Sequence, residues 1–324
     1  MNVTEQARRL AADGNVSAAY DLLEREAAKD DGDAAWELGT WRMAGRIIRR
    51  DLGEARRWFG IAAVAGHAAA RDTYIALLSN GAGGCGRDWP QALSMLEQSR
   101  SADAAQQLRL IAAMDLDEAG NPKSSETPES LHTSPRIGVI REFLSPDLCA
   151  FVRAKAMPML RPSVVFDPRT GRSFEHPERR ASAAPFPFMR EGPVIHAINR
   201  RIAAATDTLC EQGEPIQMLS YGKGGEYRLH HDTSSQDPNP RIVTVLVYLN
   251  DEYEGGETYF PAIDYAFKGR TGDALIFHNV TEGSTADARA THAGRPVTSG
   301  RKLVLSKWIR ANPLDLSGPP GRPL

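Results

Sequence analysis

Hydrophobic and polar positions follow two rhythms along this chain. Up to about residue 113, alanines and other small apolar residues recur at helical steps, and of the 21 prolines only Pro90 precedes residue 115. Alanine is the best helix former and proline the worst, so 25 alanines in the first 113 residues predict a run of helices. After Arg136 the rhythm shortens to β-branched and aromatic runs broken by Gly and Pro. RIVTVLVYLND (241–251) reads as a buried strand, GGETYFP (255–261) as a glycine turn into another strand, and DALIFH (273–278) as a third. In KLVLSKW, strand alternation puts Lys302, Val304, Ser306 and Trp308 on one face, taken as inward. One helix is predicted inside this region, because Ile195, Ile198, Ile202, Ala205 and Leu209 recur at steps of three and four; His196 then falls on its surface. Between the two rhythms, residues 115–135 are polar, Ser/Pro-rich and aperiodic, which predicts a linker. The chain thus divides into a helical region 1–114, a linker 115–135, a mainly β region 136–312 and a Pro-rich tail 313–324.

The helical region repeats. Residues 35–70 and 70–105 align with Gly45 over Gly81, Asp51 over Asp88 and Ala55 over Ala92, and an earlier degenerate copy sets Ala19 over Ala55. A period near 36 residues belongs to helix-turn-helix arrays. The positions Ala35, Leu38, Gly39, Gly45, Asp51, Ala55, Trp58, Phe59, Ala62, Ala63, Gly66 and Ala70 resemble the SEL-like subclass of tetratricopeptide-type repeats. The resemblance implies a short stacked array, which presents a concave surface to peptides or proteins or else packs and oligomerises.

Composition narrows the partners. Hydrophobic residues are 41% and charged residues 25%, and the net charge is −2, so the basic face that nucleic acid or anionic lipid requires is not expected. The chain has no long apolar run for a membrane span, and MNVTEQARRLAADG lacks the apolar core of a secretory signal. Three widely separated cysteines (Cys85, Cys149, Cys210) read as reduced thiols, and the expectation is a cytoplasmic protein.

Candidate chemistry gathers on the histidines of the β region. In EYRLHHD, His230 and Asp232 are two residues apart on a predicted strand and point to one side, while His231 faces away as a second-sphere or surface residue. A His-x-Asp pair plus one distant His makes the two-His-one-carboxylate set, which leaves three positions on Fe(II) for a chelating cosubstrate and dioxygen. Around the pair stand Tyr221, Gly224 and Tyr227, and downstream THAGRPVTSGRKLVLSKW places His292 ten residues before Lys302.

This ordered set, with REFLSPDLC at 141–149 and the Arg180–Ser182 pair upstream, resembles the prolyl 4-hydroxylase branch of the 2-oxoglutarate- and iron(II)-dependent dioxygenases over about residues 136–312. The resemblance implies an α+β multidomain protein, with the helical repeats followed by a double-stranded β-helix (jelly-roll) and flanking helices. It implies that His230, Asp232 and His292 bind iron and that Lys302 pairs with the distal carboxylate of 2-oxoglutarate. Tyr221, Thr258 and Tyr248 match cosubstrate-binding positions; Arg180, His278 and Trp308 are candidates for lining the substrate site. Fe(II), 2-oxoglutarate and dioxygen are the implied cofactors, with ascorbate as an accompanying reductant. The implied reaction hydroxylates a C–H bond, first of all in a prolyl residue of a peptide or protein engaged by the repeats, and releases succinate and CO2. A free amino acid or small metabolite is the second substrate class, and a non-catalytic repeat scaffold is the reading from another class. Nucleic-acid demethylation is disfavoured by the charge balance and by Lys302. Two Pro/Asp-rich loops, 166–180 and 234–241, are expected to act as lids. The tail's Gly-Pro-Pro-Gly at Gly318–Gly321 is a candidate for the protein's own modification.

Overall fold

The first 113 residues form seven helices in the computed structural model, which describes residues 2–314 apart from Gly83, Cys85, 168–171, 176–177 and Ser235. They are α1 (Val3–Ala12), α2 (Val16–Ala27), α3 (Gly32–Ala44), α4 (Leu52–Val64), α5 (Ala68–Asn80), α6 (Trp89–Ser99) and α7 (Ala102–Ala113). α2, α4 and α6 start at 16, 52 and 89, and α3 and α5 start at 32 and 68, so the helices recur at the spacing of the sequence repeat. The aspartates and glycines that carried the alignment are caps. Asp51 and Asp88 accept from the backbone N–H groups of Glu54 and Gln91 at the starts of α4 and α6. Gly45 and Gly81 end α3 and α5 with φ of 65° and 73°, a left-handed conformation glycine adopts without strain. Gly39 serves contact instead, since a Cβ there would lie 2.6 Å from the Phe59 ring.

Two units divide the described chain: 1–123 with 187–198, and 124–186 with 199–314. The segment 187–198 is a departure from the sequence reading, which placed all of 136–312 in one region. Phe188 packs with Met43, Leu52, Phe59 and Leu77 of the helical unit, and its carbonyl accepts from Asn80 Nδ2 at 2.7 Å. Helix α9 (Pro193–Thr206), which follows α8 (Pro146–Ala156), crosses the boundary between the units. It also corrects two details. His196 is 3% exposed with Nδ1 2.7 Å from Glu191, because α9 is buried on successive positions from Val194 to Asn199 and has no free face there. Leu209 lies beyond the helix end and is 59% exposed.

The expected linker is partly sheet. Glu129–Thr133 pairs antiparallel with Arg136–Ile140, and Asp117 closes a turn by accepting from the Ala119 and Asn121 amides. Glu129–Thr133 sits at a sheet edge with mostly exposed residues, so it needs no apolar stripe and left none in the sequence.

Eight strands build the second unit's core: β1 (Gln217–Tyr221), β2 (Tyr227–His230), β3 (Arg241–Tyr248), β4 (Thr258–Phe260), β5 (Tyr265–Phe267), β6 (Ala274–His278), β7 (His292–Gly294) and β8 (Lys302–Arg310). The larger sheet runs β6-β3-β8-β1, extended on the β6 side by Arg136–Ile140 and Glu129–Thr133 and on the β1 side by Ser182–Pro185 and Arg161–Pro162. The smaller sheet runs β5-β4-β7-β2. All pairings are antiparallel, and the chain passes back and forth between the sheets, which is the double-stranded β-helix. Ile137, Val139, Tyr248, Phe260, Phe267, Leu275 and Phe277 form one apolar cluster of this unit. β8 is buried on both faces from Lys302 to Ile309, which explains why its inward alternation is overlaid by an almost unbroken apolar run. Among the described residues no helix is long and apolar enough to cross a membrane.

Candidate active site

The smaller sheet puts two imidazoles opposite each other. His292 of β7 is registered directly against His230 of β2, and Asp232 follows two residues on. His230 Nε2 lies 3.5 Å from Asp232 Oδ1, and His292 Nε2 lies 3.7 Å from Asp232 Oδ2. One donor atom from each residue falls within 4.8 Å of the other two. The opposite ring nitrogens are engaged by backbone: His230 Nδ1 is 2.8 Å from the Arg228 carbonyl and His292 Nδ1 is 3.0 Å from the Ala290 carbonyl. A carbonyl only accepts, so Nδ1 carries the proton in both rings and each Nε2 lone pair is free for a ligand.

The charge states suit a divalent cation. Burial alone would raise the Asp232 carboxyl, but the imidazoles of His292 and His230 and the Thr244 hydroxyl outweigh it and hold the group well below the usual carboxylate range. Burial pushes the His292 imidazole down to about 4, so it is neutral at pH 7. One carboxylate and neutral imidazole nitrogen form a hard, open donor set of the kind that takes ferrous iron.

The cavity runs from this set along β8. Its wall includes Tyr221, Tyr227, Thr258, Lys302, Ser306 and Trp308. Lys302 stands opposite Tyr221 across the β1–β8 pair. Its Nζ donates to the Gly256 carbonyl at 2.7 Å, is 4% exposed as a residue, and has no ion-pair partner among the described residues. Burial lowers it to about 8. Ser306 Oγ and Trp308 Nε1 are buried without a hydrogen-bond partner among the described residues. A buried ammonium with no carboxylate at ion-pair distance among the described residues, with Glu257 acting only from farther off, and two residues with orphaned donors in the cavity wall fit an anionic, oxygen-rich ligand.

The other expected residues separate into wall and surroundings. Thr258 and Tyr221 line the cavity; burial pushes the Tyr221 phenol up, so it stays protonated as a donor. Tyr248 sits behind the wall, its hydroxyl 3.0 Å from Thr258 Oγ1 and its ring 5.3 Å from the Lys302 ammonium. Trp308 lines the cavity with the Arg241 guanidinium 4.0 Å from its ring. His278 does not reach the cavity: it ends β6 with Nδ1 2.7 Å from Arg136, because its place on the strand turns it outward. Arg180 is exposed and outside the wall; its backbone N–H donates to Glu226. His231 holds the loop before β7, its Nε2 donating to the Asp287 carbonyl at 2.8 Å.

The expected lid at 234–241 is stapled at Asp237 and Asn239. Arg310 donates to Asp237 and to the Asn239 carbonyl, and Asn239 exchanges two hydrogen bonds with the backbone of Asn312. Of the other expected lid, Val164–Asp167 pairs with Arg172–Glu175 as a hairpin, while 168–171 and 176–177 lie outside the described residues, as does the tail from 315.

Three contributors were not singled out by role from sequence. Tyr227 stacks on His230 with ring centroids 3.5 Å apart. Thr244 donates to Asp232 Oδ2 at 2.6 Å, and Asn279 Nδ2 lies 2.9 Å from Thr244 Oγ1. The available signal for Thr244 was a lone polar residue inside the apolar run of β3.

The 2OG-Fe(II) oxygenase superfamily model matches residues 216–310, the stretch that holds all eight strands. Prolyl 4-hydroxylase 1 of Arabidopsis thaliana is 36% identical over 202 residues, 56% of this chain and 71% of that protein. The human prolyl 4-hydroxylase subunit alpha-1 is 31% identical over 201 residues, 58% of this chain and 38% of that subunit. Among solved structures, the viral collagen prolyl hydroxylase of Paramecium bursaria Chlorella virus-1 aligns at 26% identity and a TM-score of 0.45, covering 54% of this chain and 96% of that one. By its match to the Arabidopsis relative, 71% of which it covers, the chain belongs to the prolyl 4-hydroxylase family of 2OG-Fe(II) oxygenases.

Proposed function

We propose that this chain hydroxylates prolyl residues of a peptide or protein in the cavity between its two sheets. The observation that carries the reading is a buried Lys302 ammonium, without a carboxylate at ion-pair distance among the described residues, in the same cavity as the His230, Asp232 and His292 donors. His230, Asp232 and His292 hold Fe(II), and Lys302 holds the distal carboxylate of 2-oxoglutarate in place of a missing carboxylate of its own. Thr258 and the Tyr221 phenol donate to that carboxylate, and Tyr248 orients the Thr258 hydroxyl. Bound there, ferrous iron and dioxygen supply the oxidation that splits 2-oxoglutarate to succinate and CO2 and inserts one oxygen atom into a substrate C–H. Ser306 Oγ and Trp308 Nε1 are left to meet polar groups of the incoming ligands, because an unpaired buried donor costs about 1–3 kcal/mol. The sheets exclude water from the reacting end of the cavity, where the Asp232 side chain is 3% exposed.

The prolyl assignment follows the names of the relatives, and peptide recognition extends to the helical unit. A hollow there, lined by Trp89, Leu93, Met114 and Leu116 with Glu97 and Glu118 among its acidic members, suits a basic, partly apolar segment. Glu97→Lys together with Glu118→Lys is expected to raise KM for basic Pro-containing peptides with kcat unchanged; an unchanged KM removes the helical unit from substrate capture.

The iron and cosubstrate assignment is tested by spectroscopy. Anaerobic addition of Fe(II) and 2-oxoglutarate to the whole chain is expected to give the weak visible charge-transfer band of the chelate, and Asp232→Ala and His292→Ala are each expected to lose it. Retention of the band by both variants overturns the assignment.

A further inference from the structure

We infer that Thr244 and Asn279 are positioning residues that form a one-way hydrogen-bond relay, fixing which oxygen of Asp232 faces the metal and thereby how tightly the metal is kept. This rests on the iron-site reading above and adds a device to it. Asn279 Nδ2 is 2.9 Å from Thr244 Oγ1, and Thr244 Oγ1 is 2.6 Å from Asp232 Oδ2. An amide nitrogen only donates, so Thr244 Oγ1 accepts from it. The single hydroxyl proton is then turned onto Asp232 Oδ2, which as a carboxylate oxygen only accepts. The second contact is short and charge-assisted, in the stronger class of hydrogen bonds.

The relay is anchored at its far end. Asn279 is fully buried, its backbone N–H donates to Ile242 at 2.8 Å, and its carbonyl accepts from Asp287 at 2.9 Å. Thr244 is 1% exposed on β3 and cannot swing to solvent. Asp232 Oδ2 is thus committed to a fixed donor, while Oδ1, 3.5 Å from His230 Nε2, is left for the cation. Asn279 Oδ1 has no partner among the described residues. An orphaned buried acceptor costs about 1–3 kcal/mol, so a side chain that served packing alone would be better made apolar. What the amide supplies there is its Nδ2 proton. Outer partners of metal-binding side chains commonly set affinity by about 10- to 100-fold.

The test is direct binding of Mn(II) or Co(II) to the whole chain by calorimetry, without 2-oxoglutarate or substrate, so that no turnover is needed. Thr244→Val keeps the shape and removes the hydroxyl; it is expected to raise the metal Kd by about 10- to 100-fold. Thr244→Ser keeps the hydroxyl and is expected to stay within a few-fold of the parent. Asn279→Asp replaces the donor by an acceptor, draws the Thr244 proton away from Asp232, and is expected to weaken binding like Thr244→Val. Circular dichroism checks that each variant is folded. If Thr244→Val does not fold, Asn279→Asp against Thr244→Ser carries the comparison. Parent-like affinity in a folded Thr244→Val or Asn279→Asp overturns the relay. Asp232→Ala separates this from failure of the site itself: if it binds metal like the parent, the iron-site reading fails, whatever the relay does.

Discussion

Lys302 holds a positive charge where a positive charge is expensive. Burial brings its ammonium to about 8 in the ligand-free cavity, and a bound carboxylate beside it raises that value. Binding of 2-oxoglutarate above pH 8 therefore takes up a proton, and the affinity is expected to fall by about tenfold per pH unit there, while below pH 8 this group leaves it flat. Calorimetric titration from pH 7 to 10 checks the slope; Lys302→Met should weaken binding at pH 7 and flatten the profile. Acid acts through the metal ligands. His292 is lowered to about 4 from an ordinary value of 6.5, so the unfolded chain binds the extra proton first and stability falls as pH drops from 6.5 to 4. Asp232, also lowered, removes further stability below the ordinary carboxylate range, so the two signs agree. At this scale the sequence spoke clearly where spacing carries chemistry, as at His230, Asp232, His292 and Lys302. It was silent on Thr244 and Asn279, whose meaning lies in a contact between residues 35 apart in the chain. It misled at His278, because strand-end position alone does not tell which way a side chain turns.

Elements were legible in proportion to the regularity of their burial. The helices of the first region follow from alanine, the scarcity of proline and a repeat whose matched aspartates and glycines are caps. The inward face of β8 follows from alternation. Glu129–Thr133 and the end of α9 escaped, the first because an edge strand needs no apolar stripe, the second because Leu209 continued a helical spacing after the helix had stopped. The turn before β4 shows how an element serves the site. Gly256 has φ of 71°, and its carbonyl accepts from Lys302. A Cβ there would meet Val297 at 3.1 Å and Tyr253 at 3.2 Å in a backbone conformation that costs about 1–3 kcal/mol for other residues. Gly256→Ala is expected to lower the thermal midpoint and to raise the half-saturating 2-oxoglutarate concentration several-fold, since it displaces the acceptor that holds Lys302; a change in midpoint alone confines the residue to folding. Asn239→Ala, which cuts the staple to Asn312, is expected to speed proteolytic cleavage within 234–241.

At the scale of the molecule, composition gave a division near 115–135, yet 187–198 belongs with the helices. That insertion rests on Phe188 packing among Met43, Leu52, Phe59 and Leu77, a long-range contact that no local pattern announces. Phe188→Ala is expected to cost about 3–5 kcal/mol in the stability of the helical unit, read by thermal melting. The jelly-roll works differently: two antiparallel sheets enclose one cavity, and the residues that carry its cation, its metal donors and its orphaned hydrogen-bond donors all line it. The most direct test is tandem mass spectrometry of a Pro-containing peptide incubated with the whole chain, Fe(II), 2-oxoglutarate and air, with succinate measured in the same sample. The account predicts one added oxygen atom on a prolyl residue and one succinate for each, both lost in Asp232→Ala. Oxygen gained by the peptide with Asp232→Ala, or succinate formed across a broad peptide set without oxygen on any proline, would contradict it.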